Sequence, residues 1–370
     1  MCGILGLLNY EKPHLENIKQ SMSHRGPDDF SYYENRKKNF FMYHSRLSII
    51  DLDKRSHQPM RDHTENYIIV FNGEIYNYRE IKKELVLKGH IFKTESDTEV
   101  VLTSYIQWGN LCLNKFRGMF SFCIYDIQNN ELFLARDRFG IKPLLYFCAD
   151  RKFLFSSELK PIIALNQVDK RINEESLNDI YEKGSVGNYR TIFKNIRVLK
   201  PGHFMKIDMA TNITISPYYN KNNILYKIPM DFSYQDSVIM LREKLEKSAK
   251  YHLISDVNIG AYLSGGIDSA ATVALLQNVL NKPIKTFTLG FDGISKHLDE
   301  SRIAEKTAKF LGSDHTCKII NSNDVSEIFD KFIYALDQPS IDGINSFLVS
   351  EFASKQVKVA VSGLGGDEIF

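Results

Sequence analysis

The chain has 370 residues, 43% hydrophobic and 25% charged, with a formal net charge of +2. That length suits two ordinary domains with full cores, and the composition is that of a soluble globular protein. Dispersed, balanced charge predicts no nucleic-acid or membrane partner, and no run approaches the ~18 apolar residues of a membrane helix.

The five cysteines (Cys2, Cys112, Cys123, Cys148, Cys317) form neither a CxxC pair nor a zinc-spaced Cys/His cluster. The last four sit in apolar sequence and are expected to be core thiols in a reducing cytoplasm. The opening Ile4-Leu5-Gly6-Leu7-Leu8 run is too short for a signal sequence and lacks a basic flank. Cys2 itself is the first informative position. A small second residue lets Met1 be removed, leaving Cys2 with a thiol and a free α-amine. An α-amine titrates near pH ~7.7–8.0, so at neutral pH a useful fraction can act as base for its own thiol.

To about Tyr219, short strand-like runs dominate, at 67–71, 119–125, 131–135 and 152–155. Their β-branched and aromatic content, with Asn/Asp/Gly-rich borders, predicts buried antiparallel strands. Apolar spacing predicts helices over 78–88 (Ile81, Leu85, Val86) and 98–108 (Val101, Leu102, Tyr105, Ile106). This is an α+β layered domain.

Four polar clusters interrupt it: 24–29, 46–51, 71–77 and 95–99. They suit amide hydrolysis by a cysteine. The Asn72 side chain and the Gly73 N–H can aim two donors at an oxyanion, and glycine allows close backbone approach. The planar fork of Arg46 suits an amino acid's carboxylate, and Glu74 or Asp97 suits its ammonium. Plainer readings exist for each: Asn72-Gly73 as a hairpin turn, Arg46 as a surface partner of Asp51.

In chain order stand Cys2-Gly3-Ile4, His24-Arg25-Gly26-Pro27-Asp28, Arg46-Leu47-Ser48-Ile49-Ile50-Asp51, Asn72-Gly73-Glu74-Ile75-Tyr76-Asn77, Ser96-Asp97-Thr98-Glu99 and Asp137-Arg138-Phe139-Gly140-Ile141-Lys142-Pro143-Leu144. The spaced set resembles the class II, N-terminal-nucleophile glutamine amidotransferase domain of glutamine-hydrolysing asparagine synthetases. The resemblance implies an αββα sandwich that releases ammonia from glutamine. It implies Cys2 as nucleophile with Asn72 and Gly73 as oxyanion hole, and Arg46, Leu47, Ile49, Ile50, Asn72, Gly73, Glu74 and Asp97 around glutamine. Ser45 departs from relatives that carry a second arginine there.

Residues 200–203 and 217–219 close this domain (2–219), and 220–232 read as a polar linker to a second domain, 233–370. A helix is expected over 234–251, then a buried strand over 257–263. The strand runs into Ser264-Gly265-Gly266-Ile267-Asp268-Ser269 and an apolar helix, 270–280. Two glycines and a helix N-terminus cradle phosphates, Ser264 and Ser269 add hydroxyls, and Asp268 could hold a Mg²⁺ bridging them. The ending is not that of a Walker A loop.

It resembles instead the PP-loop of ATP pyrophosphatases, in an α/β parallel-sheet domain. The likeness implies ATP contacts from Leu263, Ser264, Gly265, Gly266, Asp268, Ser269, Leu289, Ser362 and Gly363, with strand 286–291 bordering adenine. Asp268 and Asp367 would be the magnesium ligands. Together the halves imply ATP- and glutamine-dependent conversion of aspartate to asparagine through a β-aspartyl-AMP intermediate, by a cytoplasmic enzyme that admits a homodimer. Two departures bear on the acceptor: Leu364 stands where typical asparagine synthetases are acidic, and Asp337-Gln338-Pro339 does not match their aspartate-contacting segment. Related enzymes with this loop amidate other carboxylates, sugar acids among them. Relatives continue past Phe370, so a fragment or an incomplete synthetase half is expected, a non-synthetic glutaminase or regulatory remnant being the remaining reading.

Overall fold

The structure, a computed structural model, describes residues 1–165, 167–187, 189–220, 232–292 and 299–366. Nearly all of the expected linker, and Asp367, lie outside these residues. The described chain falls into two compact units. One holds residues 1–220 with Asp337–Ile341, the other residues 232–336 and 342–366.

The first unit runs β1 (Gly3–Leu8), α1 (Leu15–Met22), β2 (Asp29–Asn35), β3 (Phe40–Arg46), β4 (Met60–Arg61), β5 (Tyr67–Ile75), α2 (Tyr78–Leu87) and α3 (Asp97–Trp108). It continues with β6 (Gly118–Asp126), β7 (Glu131–Arg136), β8 (Leu145–Ala149), β9 (Lys152–Ser156), α4 (Leu159–Ile163), α5 (Glu174–Lys183), β10 (Ile196–Val198), β11 (His203–Asp208) and β12 (Ile213–Pro217). Two six-stranded sheets result, ordered β10-β8-β9-β1-β3-β2 and β12-β11-β7-β6-β5-β4, and every pairing is antiparallel.

Strand alternation explains the unbroken apolar run of β1. Ile4 and Leu8 face the second sheet and pack with Met42, Val70, Tyr125 and Met205. Leu5 and Leu7 face the other way and pack with Ile18 and Met22 of α1 and with Leu159 and Ile162 of α4. Across the second sheet, Tyr105 of α3 stacks on Phe133 of β7 at 4.7 Å between ring centroids. The layers are therefore helix, sheet, sheet, helix.

The second unit runs α6 (Tyr234–His252), β13 (Ile259–Tyr262), α7 (Ile267–Val279), β14 (Lys285–Phe291), α8 (Ser301–Leu311), β15 (Asp314–Ile320), α9 (Ser322–Ala335), α10 (Ile344–Ser354) and β16 (Val359–Val361). Its four strands form a parallel sheet, β15-β14-β13-β16. Helix α7 starts at Ile267, three residues before the expected 270, which puts Asp268 in its first turn.

The cysteines divide differently from expectation. Cys112 and Cys123 are buried, and burial pushes both thiols up. Cys148 and Cys317 are exposed, because β8 and β15 each turn that alternate position outward. Among the described residues no helix is long and apolar enough to cross a membrane.

Candidate active sites

In the first unit, Cys2 precedes β1, half-buried, with its Sγ 3.7 Å from Leu47 O. Arg25 Nε donates to Cys2 O at 2.9 Å, and Arg25 NH1 donates to Glu158 Oε1 at 2.7 Å. Glu158 also takes His24 Nε2 at 3.0 Å and Lys160 Nζ at 3.1 Å. Burial opposes the Glu158 charge, yet hydrogen bonds and charge from His24 and Arg25 hold its carboxyl at about 2. Burial likewise brings the Met1 α-amine down to about 5, with Arg25 and Lys142 adding to the effect and Cys2 and Glu74 opposing it.

Asn72, Gly73 and Glu74 close β5. In an antiparallel ladder successive N–H groups point to opposite edges. Phe71 N–H donates to Gln58 Oε1 at 2.6 Å and Ile75 N–H to Asp97 Oδ2 at 3.0 Å, both away from β6. Opposite Gly73, Phe120 gives its N–H to Asp137 Oδ2 and accepts Asp137 N–H, so it turns toward β7 rather than β5. The Gly73 N–H thus lies on the same edge as those of Phe71 and Ile75, where β4 has ended. No described side chain takes it. Glycine is required there: a Cβ would stand directly against Met119 O. The Asn72 side chain is 1% exposed, its Nδ2 makes one long contact to Ser121 Oγ at 3.5 Å, and its Oδ1 has no partner among the described residues.

Glu74 is buried, which raises its carboxyl against the pull of Lys142 and the N-terminal amine. Asp97 opens α3 behind its Ser96 cap, and burial lifts its carboxyl to about 7 despite the Ile75 bond, with Glu74 and Cys2 adding to the rise. Arg46 is buried and donates to Asp53 O at 3.1 Å and Asp51 O at 2.5 Å. It therefore shapes the 46–53 loop through backbone carbonyls rather than forming a surface ion pair with the Asp51 carboxylate. Leu47, Ile49 and Ile50 lie half-buried along that loop.

In the second unit, the loops after β13 and β16 leave the same ends of two adjacent parallel strands, and the chain steps outward from β13 to β14 and β15 on one side while β16 lies on the other. That is the switch point at which open α/β sheets bind ligands. A cavity of about 1000 Å³ opens there, lined by Leu263, Ser264, Gly266, Asp268, Ser269, Leu289, Glu300, Ser362, Gly363 and Leu364 among others. Ser264 N–H donates to Ser269 Oγ at 3.1 Å, and Gly266 N–H to Ser264 Oγ at 3.1 Å. Gly363 lies where a Cβ would be 2.8 Å from Ser269 N, so the two loops are in close contact.

The Asp268 carboxylate makes no hydrogen bond among the described residues. A carboxylate without a hydrogen-bond partner beside a phosphate cradle is a donor suited to a Mg²⁺. No group of three or more His, Cys, Asp or Glu suited to a metal occurs among the described residues. Leu364 is 90% exposed.

Four participants escaped the sequence reading: Arg25, Lys142, Glu158 and Glu300. The first two stand inside quoted motifs, but nothing in the motifs says which way they point. Glu300 Oε2 accepts the Gly265 N–H at 2.9 Å from 35 residues away, with no local signal. The Asp337-Gln338-Pro339 segment packs with the first unit. Asp337 Oδ1 accepts Leu159 N–H at 2.8 Å, and Gln338 Oε1 accepts Ile192 N–H at 3.1 Å.

Residues 1–219 match the glutamine amidotransferase domain family, and residues 240–370 match the asparagine synthase family. The chain is 34% identical over 380 residues to asparagine synthetase [glutamine-hydrolyzing] 1 of Bacillus subtilis (strain 168), covering 100% of this chain and 58% of that one. Identity is 32% over 398 residues with a putative asparagine synthetase [glutamine-hydrolyzing] 2 of Methanocaldococcus jannaschii, 75% of which is covered. A solved glutamine phosphoribosylpyrophosphate amidotransferase from B. subtilis, complexed with ADP and GMP, superposes at TM-score 0.46 and 14% identity over 98% of this chain and 90% of that one.

Proposed function

Because the chain belongs to the family that joins a glutamine amidotransferase domain to an asparagine synthase domain, we propose that it carries the glutaminase and nucleotide-binding parts of an ATP-dependent amide synthetase. The observation that supports this best is the Gly73 N–H, held between two satisfied amides on an open strand edge and beside a buried Asn72.

With Met1 removed, the Cys2 amine takes the thiol proton and Sγ attacks the glutamine carboxamide carbon. The oxyanion accepts from Gly73 N–H and Asn72 Nδ2. The amine then gives its proton to the departing ammonia, and water hydrolyses the thioester to glutamate. Glu74 and Asp97 hold the substrate ammonium, and Arg46 holds its carboxylate directly or through the loop it shapes.

In the second unit the 264–269 loop and the α7 N-terminus take up the pyrophosphate portion of ATP. Asp268, with Asp367 from outside the described residues, would hold Mg²⁺, which when bound would neutralise phosphate charge. An acceptor carboxylate becomes an acyl-adenylate as pyrophosphate leaves, and ammonia displaces AMP to give the amide. Excluding water protects both the adenylate and the unprotonated ammonia. Aspartate is the first acceptor to test. Leu364, exposed and lining the cavity, favours a second reading in which a sugar acid or other carboxylate takes that place.

The test uses the full gene product with Mg-ATP and glutamine, and reads pyrophosphate release with aspartate and with a panel of sugar acids. Aspartate-dependent release with asparagine formed supports the first reading. Glutamine hydrolysis without a response to aspartate moves the acceptor to the second. No acceptor-dependent release at all contradicts the synthetase role.

A further inference from the structure

Lys142 closes the Gly140-Ile141-Lys142 turn, and its side chain is 5% exposed. Its Nζ donates to Met1 Sδ at 3.1 Å, and no ion pair reaches it among the described residues. A buried ammonium whose hydrogen-bond partner is a thioether is poorly compensated. That thioether belongs to the very residue whose removal frees the Cys2 amine. The charged groups around the pair are Arg25, which grips Cys2 O, Glu74 on β5, Asp97 on α3 and Asp137, which accepts Lys142 N–H at 2.9 Å. Burial disfavours the Lys142 charge, while Glu74, Cys2 and Asp137 favour it and Arg25 opposes it.

We propose that Lys142 is a positioning charge for the nucleophile: freed of Met1, its ammonium stands beside the Cys2 α-amine and keeps that amine in its unprotonated, basic form. The inference rests on Cys2 being the N-terminal nucleophile. Arg25 acts in the same sense, but its guanidinium is committed to Cys2 O and Glu158. Among the described residues the Lys142 ammonium has no such commitment beyond the Met1 thioether.

The experiment is the pH dependence of kcat/KM for glutamine hydrolysis by wild type, Lys142→Gln, Lys142→Met and Lys142→Arg, with the mature N-terminus verified by mass. A like charge within a few ångströms moves an amine by about one pH unit. The acid limb of Lys142→Gln is therefore expected about one unit higher, with about tenfold slower hydrolysis below the limb and little change well above it. Lys142→Arg should keep the wild-type limb. Lys142→Met preserves volume and repeats the test if the glutamine variant folds poorly. An unshifted limb in both uncharged variants overturns the proposal, whether KM rises or thermal stability falls. Cys2→Ala is the separate control. Should it hydrolyse glutamine, the nucleophile assignment fails first, independently of Lys142.

Discussion

Replacing Glu158 by glutamine removes a carboxylate shared by His24, Arg25 and Lys160, two links from the Cys2 carbonyl. Its side chain is 8% exposed, and it titrates at about 2 against the usual 4.5. A carboxyl held that far below its usual value contributes about 3 kcal/mol of folding stability. Because the folded value lies below the unfolded one, that stability is fully present above pH 4.5 and drains as pH falls toward 2, leaving about 1 kcal/mol at pH 3. The buried Arg25 left without its counter-ion adds a pH-independent cost. Urea unfolding of wild type and Glu158→Gln at pH 7 and pH 3 measures both parts. The variant should be at least about 3 kcal/mol less stable at pH 7, and the gap should shrink by about 2 kcal/mol at pH 3. Glutamine hydrolysis should fall as well, since Arg25 loses the partner that aims it. An equal stability gap at both pH values would refute the reasoning.

Asp97 behaves in the opposite sense. Its folded value near 7 lies above the usual 3.8, so its charge costs stability that is fully lost only above pH 7 and not at all below 3.8. Asp97→Asn keeps an acceptor for Ile75 N–H, so it should melt higher than wild type at pH 8, gain little near pH 4, and raise KM for glutamine. A lower melting temperature at pH 8 counts against that reading. Glu300→Gln removes an anion bonded to the Gly265 N–H in the phosphate loop. Pyrophosphate should then bind several-fold tighter by equilibrium dialysis; weaker binding would make Glu300 part of the cation's ligand set.

Much of the first unit is legible in its sequence because its strands are buried on both faces or flanked by turn residues, and the apolar runs of β5, β6 and β7 announce themselves. The strand–glycine–helix order of 259–269 is equally plain. What stays hidden is long-range and electrostatic. Glu158 and Arg25 are 133 residues apart, and Glu300 and Gly265 are 35 apart. Nothing local marks either pair. Arg46 reads as a ligand or a surface ion-pair partner, and nothing local shows that its guanidinium also donates to two backbone carbonyls of its own loop. Cys148 and Cys317 mislead because apolar neighbours in sequence do not reveal which side of a strand faces out.

The most direct test of Cys2 as an N-terminal nucleophile is covalent capture. The protein is incubated with a glutamine analogue bearing a diazoketone in place of the carboxamide, and its N-terminal peptide is weighed by mass spectrometry. An adduct on Cys2 of a chain lacking Met1, formed at the rate at which glutamine hydrolysis is lost, is the expected result. Hydrolysis lost with Cys2 unmodified, or full activity with Met1 still attached, would contradict it.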